Sequence, residues 1–79
     1  MTACATVADV LQLAPNPYRL TATKLRRALG GVGYERAKCV LELARERHEI
    51  TIHRRMAEFG ITRLQAEQML FVEWVERQP

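Results

Sequence analysis

The stretch of this sequence with the clearest chemical potential is a glycine-rich turn followed by basic residues. Its candidate contact residues are Gly31, Val32, Gly33, Tyr34, Arg36 and Lys38. The glycines can adopt positive φ or let another backbone come close. A helix that begins after them has first-turn N–H groups without intrahelical acceptors. Those donors and the positive end of the helix dipole favour an anion, and a nucleic-acid phosphate is the anion we expect.

Arginines near this turn point to the same kind of ligand. Arg36 falls in the first helical turn, where a cation is unfavourable beside the helix dipole, so its presence indicates an anionic partner. Arg54 and Arg55 form a second basic pair, which we expect to reach phosphates close to those held by the turn. Arg residues suit phosphate through their planar guanidinium group, although a GC-rich genome produces the same excess of Arg over Lys.

The sequence offers no set of residues for catalysis. It contains no phosphate-cradling GxxxxGK[ST] loop, no nucleophile–base pair and no paired catalytic carboxylates. His48 and His53 are five residues apart, which does not place them on one helical face, and we expect both to be surface or hydrogen-bonded side chains. We therefore expect a non-enzymatic protein that needs no cofactor and no metal ion.

Two amphipathic helices flank the turn. Leu25, Ala28 and Leu29 give an apolar stripe before it, and a second stripe with i, i+3, i+4, i+7 spacing follows it. The second stripe consists of Ala37, Val40, Leu41 and Ala44. We expect Val32 to fill the gap between the helices. A plain αα-hairpin explains the same apolar spacing without any ligand.

The sequence pattern predicts further short helices in the rest of the chain. We expect an N-terminal helix within residues 2–14, a Pro-rich linker to residue 18, and a helix that runs from Thr21 or Thr23 to about Leu29. Helices over residues 34–47, 52–59 and 63–76 follow, with a turn near His48 to Thr51 and Gly60 ending the helix over 52–59. Thr6 with Asp9 and Thr62 with Gln65 have the spacing of a capping box at the start of the first and the last helix. The pattern predicts one all-α domain over residues 1–79, a compact bundle of four to five short helices whose core is 19–79.

Composition narrows the class of protein. Residues 19–55 carry ten basic and four acidic residues, so the net charge of +3 is concentrated around the turn. No window approaches 18 consecutive apolar residues, and no membrane partner is expected. Cys4 and Cys39 have no partner ligands, and we expect a reduced, cytoplasmic protein with Cys39 partly buried.

The last predicted helix is more apolar than one small core needs. We expect it to thread through the centre of the bundle. The alternative is a homodimer or a protein partner bound through Phe71, Trp74 and Val75, because aromatic residues dominate interface energetics.

The turn and its flanks resemble the helix-hairpin-helix motif. The matching residues are Leu29, Gly31, Val32, Gly33, Ala37, Val40 and Leu41. Over residues 22–74 the chain also looks like helix-two-turns-helix domains, above all the actinobacterial integration host factor. Its hairpin pattern is matched by Leu25, Ala28, Leu29, Val32, Gly33, Arg36 and Ala37, and its downstream pattern by Arg54, Arg55, Met56, Phe59, Gly60 and Gln65. The lysines that this family has at the positions of Gly31 and Tyr34 are missing.

The resemblance implies a small DNA-binding protein of the nucleoid-associated or phage accessory type. The hairpin amides and the Arg pair would contact the backbone of double-stranded DNA with little base recognition, and the protein would reside in the nucleoid. Two alternatives stay open at this point. One is a structured RNA bound by the same donors, because the helix-two-turns-helix domains that the chain resembles include a bacterial small-subunit ribosomal protein. The other is a module that regulates a host protein through the apolar C-terminal helix.

Overall fold

A computed structural model describes residues 6–79 of the chain as an all-α bundle. The helices are α1 (Val7–Leu13), α2 (Ala22–Leu29), α3 (Tyr34–Phe59) and α4 (Arg63–Arg77), with a turn of 3-10 helix at Pro17–Arg19 between α1 and α2. The predicted fold class is confirmed. Cys4 and the start of the expected N-terminal helix lie outside the described residues. None of the helices in residues 6–79 has the length and apolar character needed to cross a membrane.

Threonines begin three of the four helices. The Thr6 hydroxyl accepts a hydrogen bond from the Asp9 N–H at the start of α1, and Thr62 does the same for Gln65 at the start of α4. Both are reciprocal capping boxes, as the spacing predicts. Thr21 accepts from the Lys24 N–H and begins α2. These caps satisfy backbone donors that a helix end leaves open, and they fix where each helix begins.

The core lies between α1, α2 and the first half of α3. It consists of the buried residues Val10, Leu25, Val32, Ala37, Val40, Leu41 and Ala44. Val32 is only 7% exposed although it belongs to the glycine-rich turn. The expectation that Val32 fills the gap between the two flanking helices is confirmed. Burial of Val32 and Leu25 therefore fixes the angle at which α2 meets α3.

The predicted turn near His48 to Thr51 is wrong, because α3 continues without a break from Tyr34 to Phe59. No Gly or Pro interrupts these residues, and the buried positions Ala44, His48 and Ile52 keep helical spacing straight through the expected turn. The Thr51 hydroxyl donates to the Arg47 carbonyl, 3.0 Å away, which also suits a continuing helix. Tertiary packing thus overrides the weak helix propensity of the Ile–Thr–Ile run.

The expectation that the last helix threads through the bundle is also wrong. Ala66 is the only buried residue that α4 contributes to the described structure. Leu64, Phe71 and Val75 are about half exposed or more. Because α1, α2 and α3 already fill the small core, α4 packs along one side of α3. The indole Nε1 of Trp74 donates to a backbone carbonyl at the end of α1, that of Gln12, at 2.8 Å.

Candidate nucleic-acid interface

The glycine-rich turn joins α2 to α3 through two residues in the positive-φ region. Gly30 ends α2 with φ of 66°, and Gly31 follows with φ of 64°. Gly33 has φ of −72°, which any residue can adopt. An ideal Cβ at Gly33 would meet no heavy atom within 4 Å. Nothing inside the described structure therefore requires glycine at position 33, and the space in front of its backbone is open.

The N-terminus of α3 differs from those of the other three helices because no side chain caps it. Gly33 is its N-cap residue and makes no side-chain cap hydrogen bond. The first intrahelical bond runs from the Ala37 N–H to the Gly33 carbonyl at 3.0 Å. The amides of the first turn, beginning at Tyr34, precede that bond and point out of the helix end. This arrangement is a donor set suited to an anion.

Basic side chains of α2 stand next to this helix end. Arg26 Nε donates to the Val32 carbonyl at 3.3 Å and braces the turn. A shallow open concavity is lined by Thr23, Arg26, Arg27, Gly31, Val32 and Gly33. The sequence interpretation overlooked Arg26 and Arg27 as site residues. Their position in the last helical turn before a C-cap glycine is the signal that could have identified them.

The charge of the chain is concentrated at this end of the molecule. Residues 22–39 hold five basic residues and one acidic residue, a net charge of +4. Residues 40–79 hold six basic and seven acidic residues, a net charge of −1. Arg36 and Lys38 follow the turn on exposed positions of α3. The hairpin end is therefore the electropositive pole of a molecule about 42 Å long.

The second Arg pair does not lie beside the hairpin, contrary to the prediction. Arg54 is 20 residues further along α3 than Tyr34, which is about 30 Å at 1.5 Å per residue. Arg55 forms a bidentate ion pair with Glu73 of α4, with N–O distances of 2.6 and 2.9 Å. This hydrogen bonding raises the pKa of Arg55 and lowers that of Glu73. Arg55 therefore joins α3 to α4. Arg54 is exposed on the C-terminal half of α3, away from the hairpin.

A second ion-pair cluster ties the start of α4 to the middle of α3. Arg63 Nη1 donates to Glu49 Oε1 at 2.9 Å, its Nη2 donates to the other carboxylate oxygen, and the Tyr18 hydroxyl donates to Glu49 as well. These hydrogen bonds, with Arg63 the larger cause, hold the pKa of Glu49 at about 2. The bond to Glu49 raises the pKa of Tyr18. Arg45 meanwhile donates to the Leu20 carbonyl at 2.8 Å. Arg45, Arg55 and Arg63 thus serve the fold.

No protein-family model, curated protein or solved structure matches this chain. A function for this chain is therefore inferred from the geometry of the hairpin end, and the resemblance to integration host factor stays a prediction.

The two histidines and Cys39 have environments that differ from one another. His53 is exposed, as predicted. His48 is buried, and its Nε2 has no hydrogen-bond partner and lies 3.6 Å from Glu67 Oε1, so the expectation of a surface or hydrogen-bonded residue is wrong there. Cys39 is exposed rather than partly buried. Within residues 6–79 no three His, Cys, Asp or Glu side chains are grouped as metal ligands.

Proposed function

We propose that this protein is a small, non-enzymatic DNA-binding protein that holds the phosphate backbone of double-stranded DNA at its hairpin end. The observation that carries the proposal is the uncapped N-terminus of α3, set in the part of the chain with a net charge of +4. A duplex phosphate placed there would accept hydrogen bonds from the first-turn amides and lie close to several cations. A nucleoid-associated or phage accessory role, within the nucleoid, is the cellular function that such a contact fits.

The contact set follows from where the hairpin places each residue. The amides after Gly31 and Gly33 are the hydrogen-bond donors, and Tyr34 and Arg36 begin the helix beside them. Lys38 lies one turn on. The Val32 side chain is buried and supports the turn, so Val32 would offer the ligand only its backbone N–H. Arg26 and Arg27 of α2 join this set.

The second Arg pair lies outside this contact. Arg55 is bound to Glu73, and Arg54 is about 30 Å along α3 from the hairpin at 1.5 Å per residue.

This donor set favours binding without sequence preference. Backbone amides and arginines on phosphates position a protein on the duplex but carry no information about the bases. A structured RNA offers the same phosphates to the same donors, so a duplex RNA of equal length belongs in the test as a competitor. If the protein prefers the RNA, its proposed partner becomes RNA, and the proposed binding site stays the same.

The test is binding to an unrelated duplex of ~30 base pairs, followed by fluorescence anisotropy across a salt series. A set of about five phosphate contacts gives a log–log slope near −4 to −5. The double substitution Arg27→Ala and Arg36→Ala should reduce the magnitude of that slope by about 2. Arg19→Ala with Arg77→Ala removes the same charge elsewhere on the exposed surface and should leave the slope unchanged. Equal losses in both double variants, or no binding by the natural protein at low salt, would overturn the proposal.

A protein–protein contact through α4 is the second candidate function. Leu64, Phe71 and Val75 recur at helical spacing on the face of α4 turned away from Ala66, and all three are exposed. Phe71 stacks near Trp74 with ring centroids 6.3 Å apart, but the indole of Trp74 is bound to α1. Phe71 and Val75, rather than Trp74, would then anchor a partner that regulates or recruits this protein. Loss of partner binding in Phe71→Ser with unchanged DNA affinity would support this candidate.

A further inference from the structure

The outward face of α3 carries an apolar line that no other part of the described structure covers. Ala44, His48 and Ile52 are buried and define the inward face of the helix. At 100° per residue the opposite face holds Cys39, Leu43, Ile50 and Ala57, all of them exposed. Leu43 is 54% and Ile50 is 53% exposed. Their spacing of seven residues is the repeat found where two helices pack along their length.

The two edges of this apolar line carry opposite charge. Glu42 and Glu46 lie on one side of Leu43 and Ile50, and Arg47 and Arg54 lie on the other, as the 100° rotation per residue places them. All four are exposed. Within residues 6–79 none of these four side chains forms an ion pair, in contrast to Arg55 and Arg63. The face is thus apolar in the middle, acidic on one edge and basic on the other.

We propose that a second copy of this chain packs on this face, with the two α3 helices parallel. A twofold axis that runs along parallel helices sets the acidic edge of each helix against the basic edge of the other. Glu42 then lies opposite Arg47 of the second copy, the five-residue offset by which charged edges pair in parallel coiled coils. An antiparallel pair would instead set Arg against Arg and Glu against Glu. The charge pattern therefore selects both the occupant and its direction.

The apolar line is short, so the association is a concentration-dependent equilibrium rather than a permanent dimer. Cys39 and Ala57 are separated by about 27 Å along the helix axis at 1.5 Å per residue, and two of the four apolar side chains are small. Such a contact buries less apolar surface than obligate dimers do. Parallel packing also brings both hairpins to the same end of the dimer, so two phosphate-binding sites would face one duplex. The dimer itself does not depend on DNA binding.

Cys39 reports the direction of the helices. In a parallel, in-register pair the two Cys39 side chains lie opposite each other, whereas antiparallel packing about the middle of the line places each near Ala57 of the other copy. With Cys4 replaced by Ser, a short bismaleimide should link two chains through Cys39 at concentrations where sedimentation equilibrium shows dimer. A dimer that resists this cross-link would overturn the parallel arrangement, and a protein that stays monomeric at millimolar concentration would overturn the proposal.

Charge reversals test the same contact from its edges. Glu42→Arg and Arg47→Glu should each weaken self-association about tenfold, since each turns two attractive pairs of the dimer into repulsive ones. The double variant should restore the affinity of the natural chain to within about threefold. Both residues are exposed, so circular dichroism should report an unchanged fold. Phe71→Ser on α4 is the matched control and should leave dimerisation unaffected; if it abolishes the dimer and the charge reversals do not, the interface is α4 and the proposal fails.

Discussion

Replacing Gly30, Gly33 and Gly60 by Ala measures how much stability an unfavourable backbone conformation costs, without a contribution from steric clashes. An ideal Cβ at Gly30, Gly33 or Gly60 would meet no heavy atom within 4 Å. Substitution by Ala at these positions therefore introduces no clash, and the three variants differ mainly in φ and ψ, with an added N-cap effect at Gly33. Gly33 is extended at φ −72° and ψ 159°, Gly60 is left-handed at 63° and 37°, and Gly30 lies at 66° and 150°.

The expected losses of stability form a graded series. At Gly33 the reduced entropy of the unfolded chain stabilises by about 0.4–1 kcal/mol, and a poorer N-cap offsets roughly half a kcal/mol or more, so the net change is near zero. The left-handed conformation at Gly60 costs an L residue about 1 kcal/mol. The region occupied by Gly30 is almost closed to other residues, and Ala there costs about 2–3 kcal/mol.

Thermal unfolding followed by circular dichroism measures the series directly. About 1 kcal/mol corresponds to a Tm change of roughly 4–8 °C for a chain of this size. Gly33→Ala should thus stay within about 3 °C of the natural protein, Gly60→Ala should fall by about 4–8 °C, and Gly30→Ala by more than 8 °C. Equal losses at the three positions would refute the reasoning, because the three sites share open space and differ mainly in backbone conformation. If DNA affinity drops in Gly33→Ala while Tm holds, the open space at Gly33 is where the phosphate backbone approaches.

Two further predictions concern polar groups inside the fold. The pKa of Glu49 is held at about 2 against a usual 4.5 by its bonds to Arg63 and Tyr18, so its contribution to the free energy of unfolding is complete above pH 4.5 and is lost as the pH falls towards 2. Urea midpoints from pH 7 to 2 should therefore fall less steeply below pH 4.5 in Glu49→Gln than in the natural chain; parallel curves would contradict this role for Glu49. His48→Leu removes the buried Nε2 that has no hydrogen-bond partner and should raise the free energy of unfolding by about 1 kcal/mol, measured by urea unfolding at pH 7. A loss in this variant would show that the imidazole makes favourable contacts that outweigh its unpaired nitrogen.

Local chemistry explains what the sequence could predict. Thr6 with Asp9, Thr62 with Gln65, and Gly60 act within four residues of the helix end that each defines. The turn between α2 and α3 is equally local, because glycines and one buried Val32 determine it. These features need no knowledge of the partner helix, and they were located correctly.

What escaped prediction depends on contacts between distant residues. Arg55 meets Glu73 18 positions further on, and Glu49 meets Arg63 14 positions further on. Nothing in the spacing of these charges distinguishes them from solvent-exposed ones. The wrong prediction of a turn near His48 also reflects distant contacts, because only the packed helix shows that Ala44, His48 and Ile52 share one buried face. The hairpin was therefore located correctly, whereas the expected position of the Arg pair beside it was wrong.

Some arginines form ion pairs within the protein and others are exposed to solvent. This difference determines how many of them can contribute to the salt dependence of DNA binding. Arg55 and Arg63 already hold carboxylates in the protein alone, so we do not expect them to neutralise DNA phosphates and release the cations condensed there. If the proposed hairpin contact is right, the slope of log affinity against log salt should count the cations of the hairpin end rather than the twelve basic residues of the chain. A slope well beyond −5 is expected when a second copy contributes its own hairpin, because residues 22–39 of one chain carry only five basic residues. Salt dependence measured above and below the dimerisation range thus separates one hairpin on DNA from two.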